Sequence, residues 1–410
     1  MTIFVPKITP RVAYTLEFVF AEILQLPFSI SQDKEIFNSS EDTVKWSYGE
    51  EIAGYPFLPA TALLFENTIS PQKTTKIQHE YIEPIFKTGE GLGFDIFASI
   101  FYHISRYEEY LPSVVDTHGR YAAYQSILLE YKQLDKAVVN RYVQWIRAWL
   151  LKNFPHLTIK KPNPSILFSI DVDHPFYTKD VRLGRKIWRG IKDLADGLQK
   201  DRFDTYDFIL DNLGALPSIF FFLCPKSPSD MDNYNSRESE AFVSLIRHIK
   251  QKSKIGIHPS YYAVEKGFLT EEVHWLSQVH ERPMKSSRYH YLRNSVESSY
   301  SVLVEAGIQH DFSMAYGNIS GFRSGTSFPF YYFDLKKNQK TNVLIYTPCI
   351  MDSTYEYGLQ ENFEDQFKKL FQEIKEYGGV FLPIFHNDIL SKEEWKTQFI
   401  TSINLVKDYV

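Results

Sequence analysis

The stretch Ser165-Ile-Leu-Phe-Ser-Ile-Asp171-Val-Asp173-His-Pro175 decides how the chain is read. Four apolar residues (Ile166, Leu167, Phe168 and Ile170) run into two carboxylates and an imidazole, and Pro175 then ends any ladder of hydrogen bonds. A short apolar run bounded in this way reads as a strand buried on both faces. Its charged end belongs where the strand leaves the core, the place where α/β barrels and open parallel sheets keep their chemistry. Residues two apart in a strand share a face, so Asp171 and Asp173 project together. Two carboxylates that close repel unless a cation lies between them or one is neutral. An Asp-x-Asp pair can also cap a helix or solvate a loop, so the remainder of the chain has to choose.

Working outward, 410 residues suffice for two domains, or for one large domain with an appendage. A net charge of −5 offers no basic face for nucleic acid or an anionic membrane. Tyr (27), Phe (32) and Trp (6) are plentiful, which suits a sugar-binding cleft, although most of them belong to the core. Cys224 and Cys349 lie in apolar strand-like runs, so reduced, buried thiols are expected rather than disulfides or a Cys-rich zinc site. Met1 to Pro10 lacks the pattern of a signal peptide, and no apolar segment reaches the roughly 20 residues that span a bilayer. A cytoplasmic protein without a transmembrane segment is expected, and no pattern sets an oligomeric state.

Residues 1–155 read as a smaller α+β accessory domain of unassigned role. Helices are expected over 12–26, 94–110 and 136–153, with short extended pieces over 55–65 and a polar loop at Asp116-Thr-His-Gly-Arg120. Pro155 to Pro164 is a linker, and residues 165–410 form the second domain. There the texture alternates between strands and helices. Strand-like runs fall at 165–171, 217–224, 254–258, 286–292, 309–316, 342–350 and 379–386. Phe242, Leu245, Ile246 and Ile249 mark one helix face, and Phe363, Phe367, Leu370, Phe371 and Ile374 another. Ser391 and Glu394 make a capping box for the last helix. About seven βα units fit an α/β barrel better than an open sheet.

Other strand ends carry unusual residues. Lys254-Ile-Gly-Ile-His258 delivers a histidine after an apolar run and just before a proline, and Gly379-Val-Phe-Leu-Pro-Ile-Phe-His386 delivers one after the apolar run of the last strand. Between them lie His290 and Arg293, and Arg323 between Gly321 and Gly325, where glycine permits close backbone approach. Arg293 can equally cap a helix or pair with an acid. His248, His274 and His280 sit in helix patterns and read as packed or surface residues. A barrel gathers its strand C-termini on one rim, so these side chains can converge from distant positions.

Taken together, residues 165–410 resemble the polysaccharide deacetylase family (NodB-homology, carbohydrate esterase 4-like), metal-dependent enzymes on a distorted (β/α) barrel. The family's Thr-Phe-Asp-Asp strand end is similar to Ser169-Ile-Asp171-Val-Asp173, with one residue inserted. Its His-Ser/Thr-x-x-His motif falls on His258-Pro-Ser-Tyr-Tyr262, its arginine on Phe322-Arg323, and its Leu-x-His on Ile384-Phe385-His386. A bacterial subgroup carries an extra N-terminal domain, which the segment with Ser105-Arg-Tyr-Glu-Glu109 resembles. The resemblance implies removal of an acetyl group from a carbohydrate substrate. Asp171 would be the general base held by Arg323, and His386 the general acid. Asp173 and His258 would hold a divalent metal, zinc first, with nickel or cobalt also open. Tyr262 stands where the family has a second histidine, and a phenol titrating near about 10 is a poor ligand at neutral pH. The Asp/Trp motif has no clear counterpart, though Asp352 can stand in for part of it. His290 would then supply the missing imidazole, with Tyr262, Arg293 and Asp352 lining the substrate. The alternatives are water in its place, or a lost metal site and a barrel that only binds a glycan or nucleotide sugar. A glycoside hydrolase ranks below these, because two carboxyls on one strand edge are poorly placed to flank a bond.

Overall fold

The computed structural model describes residues 1–89, 91–178, 201–227, 229–232 and 236–409. In the N-terminal segment β1 (Thr2–Phe4), β2 (Ser29–Ser31), β3 (Lys45–Tyr48) and β4 (Phe57–Leu58) form a sheet in the order β2-β1-β3-β4. Every ladder in it is parallel, and parallel neighbours need crossovers. The helices Pro10–Leu16 and Lys34–Ser39 lie in the crossovers among β1, β2 and β3, and residues 49–56 carry the chain from β3 to β4 without one. The segment is therefore built on α/β alternation rather than the expected α+β arrangement. The strands are two to four residues long, too short for a period to show in the sequence. The expected helix over 12–26 starts at Pro10, capped by the Thr9 side chain, and runs on as a π-helix over Glu17–Ile23. The one expected over 94–110 is Ile96–Ile104, then a 3-10 turn at Tyr107–Tyr110, broken where Arg106 takes a left-handed φ of 52°.

The second sheet holds the chemistry. Its chain contributes β5 (Pro164–Ile166), β6 (Phe168–Val172), β7 (Ser218–Leu223), β8 (Lys254–His258), β9 (Ser286–Ser287) and β10 (His310–Asp311). Then follow β11 (Phe330–Asp334), β12 (Gln339–Ile345), β13 (Ile350–Met351), β14 (Gly379–Phe381) and β15 (Pro383–His386). Nine of these pair in the order β11-β12-β10-β9-β8-β7-β6-β15-β13, while β5 and β14 pair with each other. All ladders from β12 to β13 are parallel, and β11 closes that edge as an antiparallel hairpin partner of β12. Among the described residues no ladder joins β11 to β13, so they show a mixed α/β sheet and no closed barrel. Counting βα units cannot reveal closure, which depends on whether the first and last strands meet.

Register positions the site. Within β6 every side chain is buried, and Asp171 stands directly opposite His386 of β15. On the other flank β7 carries Leu223 opposite His258 of β8. One continuous apolar core runs under both sheets, with Tyr14 and Phe101 of the N-terminal segment packed on Phe333 of β11. Cys224 and Cys349 are buried and free. No helix among the described residues is long and apolar enough to cross a membrane. The last helix, Glu393–Val406, begins at Lys392 without a side-chain cap, so the expected Ser391/Glu394 box does not form. Ser391 instead closes the preceding turn, Ile389–Ser391.

Candidate metal centre

Asp173, one residue past β6, meets two imidazoles. His258 Nε2 lies 3.1 Å from its Oδ1, and His290 Nε2 lies 3.5 Å from its Oδ2. A tetrahedral ion about 2.1 Å from each donor requires donor–donor spacings of about 3.4 Å. One ligand atom from each of the three residues can be chosen with all of them inside 4.8 Å of one another.

The far side of each ring fixes what the near side can do. His258 Nδ1 faces the Arg288 carbonyl oxygen at 2.5 Å, and His290 Nδ1 faces Asp232 Oδ1 at 2.9 Å. Both acceptors demand an N–H, which leaves Nε2 of each neutral ring as a lone pair aimed at a carboxylate. Asp173 Oδ1 is correspondingly buried without a hydrogen-bond donor, close as His258 is. Lone pairs facing lone pairs need positive charge between them. Without a metal that charge is a proton: burial pulls His290 down, but Asp173 and Asp232 outweigh it and lift it to about 9. Burial raises Asp173 in turn, and His290 and His258 overcome it to hold the carboxyl well below the usual range. Three donors with locked tautomers and an orphaned oxygen fit a divalent cation. Glu272 braces this wall by accepting from the Ser260 amide and hydroxyl just past His258.

Asp171 lies beside this cluster, its Oδ2 3.9 Å from both His258 Nε2 and His386 Nε2. Its Oδ1 accepts from Arg288 Nη1 at 2.7 Å, while Arg288 Nη2 donates to Ser169 Oγ and Nε to the Phe312 carbonyl. His386 Nδ1 faces Asp352 Oδ1 at 2.6 Å, and the His386 amide donates to Asp352 Oδ2. Burial opposes the imidazolium, but Asp352, Asp173 and Asp171 together raise His386 to about 10. Asp171, Asp173, His258, His290 and His386 line a cavity of about 370 Å3 into which the N-terminal segment reaches with His118 and Arg120.

Several expected partners lie elsewhere. Arg323 does not hold Asp171. Its Nε and Nη2 donate to Glu109 at 2.9 and 2.6 Å, and Nη1 to Asn294 and the Ala315 carbonyl. The arginine on Asp171 is Arg288, which follows β9 and projects under the sheet onto the Phe221 ring. Neither Tyr262 nor Arg293 lines the cavity. Tyr262 packs on Tyr261 and under Lys266, and Arg293 ties the His118 carbonyl to that of Tyr261. Asp352 is fully buried behind His386, where a substrate cannot reach it. Asp232 and Arg288 carried no strand-end signal. Arg288 stands two residues before His290, inside the strand-like run 286–292.

Residues 1–155 match the model of a family of unknown function (DUF7033). No curated protein matches the chain. Among solved structures the chain is similar to a candidate polysaccharide deacetylase from Mycobacterium smegmatis. The identity is 14% and the TM-score 0.40, over 61% of this chain and 87% of that one. So distant a likeness assigns no chemistry, which rests on the side chains described above.

Proposed function

We propose that the protein is a metal-dependent hydrolase that removes an acetyl group from an N-acetylated, or O-acetylated, sugar or glycan. The reading is carried by two imidazoles whose lone pairs converge on the half-buried Asp173 carboxylate, with a second carboxylate, Asp171, alongside. Asp173, His258 and His290 would hold the cation, and mixed imidazole and carboxylate donors suit zinc first, with nickel or cobalt also accommodated. Such an ion supplies Lewis acidity, acidifying water and polarising a carbonyl.

The chain's own residues do the rest. Asp171 removes the proton of the attacking water, and Arg288 keeps its carboxylate turned toward the cluster. An amide nitrogen leaves badly as an anion, so it must be protonated as the bond breaks. His386 delivers that proton, with Asp352 holding the ring and favouring its charged form. Residues 165–410 carry the chemistry, and residues 1–155 act as an accessory segment.

The competing reading is a fold that binds a glycan or nucleotide sugar without turning it over. Metal analysis combined with acetate release separates the two. Wild-type protein should contain about one metal per chain and release acetate, and chelation should stop it. Asp171→Asn and His386→Asn should retain the metal and lose turnover. Full activity in either variant, or in metal-free protein, refutes the proposal.

A further inference from the structure

Twelve large hydrophobic residues are exposed among the described ones, and six of them gather on one face. Tyr291, Tyr357 and Leu359 line the cavity of the metal centre. Val114, Val115 and Tyr124 line a second cavity, of about 200 Å3, built largely by the N-terminal segment. The two share Arg120 and Gly317. Arg120 donates from Nε to Asp116 Oδ2 and from Nη1 to the Tyr291 carbonyl, both at 2.7 Å. A Cβ on Gly317 would lie 2.3 Å from Arg120 Nη1, so a side chain here would push the guanidinium out of this position. The two cavities therefore adjoin as the inner and outer half of one lined surface, with Arg120 and Gly317 as the saddle between them.

The outer half is braced by its own hydrogen bonds. Val115 bridges to Tyr121, and Gln125 clamps Val114 by both its amide and its carbonyl. Asp116 Oδ1 accepts from the amides of His118 and Arg120. Over this braced loop Tyr124 is 68% exposed. A pinned apolar wall with an open phenol ring, rimmed by paired charges, suits a ligand with one apolar face and a polar edge. A sugar ring has that shape, its C–H face fitting the tyrosine and its hydroxyls the rim. Since Asp116 matches the charge of Arg120, the saddle favours a neutral chain over an acidic one. A protein partner would need about 800 Å2 per side, more than so small a hollow offers.

We propose that the N-terminal segment builds a distal sugar subsite. A neutral oligosaccharide lies across the Arg120–Gly317 saddle with one ring on Tyr124 while its acetylated ring occupies the metal centre. The proposal rests on the deacetylase reading for the inner half of the cleft, and its test separates the two.

Zinc-loaded wild-type protein, Tyr124→Ala and Val115→Asp are assayed for acetate release on N-acetylglucosamine and its di-, tetra- and hexamers. Wild-type kcat/KM should rise about tenfold from monomer to tetramer, the worth of one aromatic contact. Both variants should lose that rise and keep the monomer rate. Equal kcat/KM for monomer and hexamer overturns the subsite and leaves the deacetylase standing, as does a full rise in Tyr124→Ala. If no acetate is released, nothing is consumed, and calorimetry on the same samples decides. Tighter binding of the tetramer that Tyr124→Ala abolishes supports the subsite without the activity, and no binding overturns it. Light scattering gives the remaining check. A dimer that Tyr124→Ala dissociates, with chain-length response unchanged, assigns the patch to a second copy of this chain and overturns the proposal.

Discussion

Arg288→Met should separate what holds the site together from what it does. Arg288 is fully buried, and its Nη1 sits 2.7 Å from the almost equally buried Asp171. Two unit charges about 4 Å apart at an effective dielectric of about 20 attract by about 4 kcal/mol. Removing one partner of such a pair costs about 3–5 kcal/mol, because the other charge stays buried and alone. Methionine keeps contact with the Phe221 ring but also strands the Phe312 carbonyl that Arg288 serves. Unfolding entropy of about 2 cal/mol/K per residue turns 4 kcal/mol into a Tm fall of about 5 °C for a chain this long. The assay is urea unfolding of wild type, Arg288→Met, Asp171→Asn and the double variant. The double variant should be more stable than the summed single losses allow, by about 2 kcal/mol or more, since no unpaired charge remains. With metal present, Arg288→Met should also lose about a hundredfold in kcat with little change in KM, as a misaimed base would. Additive losses, or a single variant within about 0.5 kcal/mol of wild type, would refute the pairing.

Zinc in a thousandfold excess over its Kd should stabilise the protein by about 4 kcal/mol, and Asp173→Ala or His258→Ala should abolish the thermal shift; an undiminished shift would place the ion elsewhere. Glu109 is buried, which raises its carboxyl, but Arg323 and Arg106 hold it below its ordinary 4.5. A depressed carboxyl contributes stability that is complete above the unfolded value and fades as pH falls through the folded one. The urea midpoint of wild type should therefore drop on acidification from pH 5 downward, and Glu109→Gln, weaker at neutral pH, should show a shallower acid limb. A parallel acid limb in the variant would deny Glu109 that role. Ser239 caps the helix Glu240–Ile249 by accepting from the Phe242 amide, so Ser239→Ala should cost about 1 kcal/mol. Ser391→Ala should cost less than about 0.5 kcal/mol, because Ser391 caps nothing; the reverse ranking in thermal melts would reinstate the capping box.

How much of this was legible in the linear chain follows from the range of the forces involved. Asp171, Asp173, His258 and His386 announce themselves because burial of a strand and the polarity of its exit are written in adjacent residues. The alternation of strands and helices after Ser165 is equally local, as is the burial of Cys224 and Cys349. Pairing is not. Arg288 lies inside the strand-like run 286–292 and Arg323 beyond the run 309–316, and only Arg323 stands out, by its flanking glycines. Which one meets Asp171 depends on the stacking of β6 to β9, and the other is claimed by Glu109, 214 residues away. The tautomers of His258 and His290 are set by Arg288 and Asp232, whose positions come from loop packing that no periodicity describes. The two edges of the sheet are decided in the same way, by a hairpin at β11 and β12 on one side and by β13, which pairs only with β15 among the described residues, on the other. Periodicity along the chain reports which face of each element is buried. Only the folded register reports which buried charges become neighbours, because Coulomb and hydrogen-bond partners are chosen by distance in space.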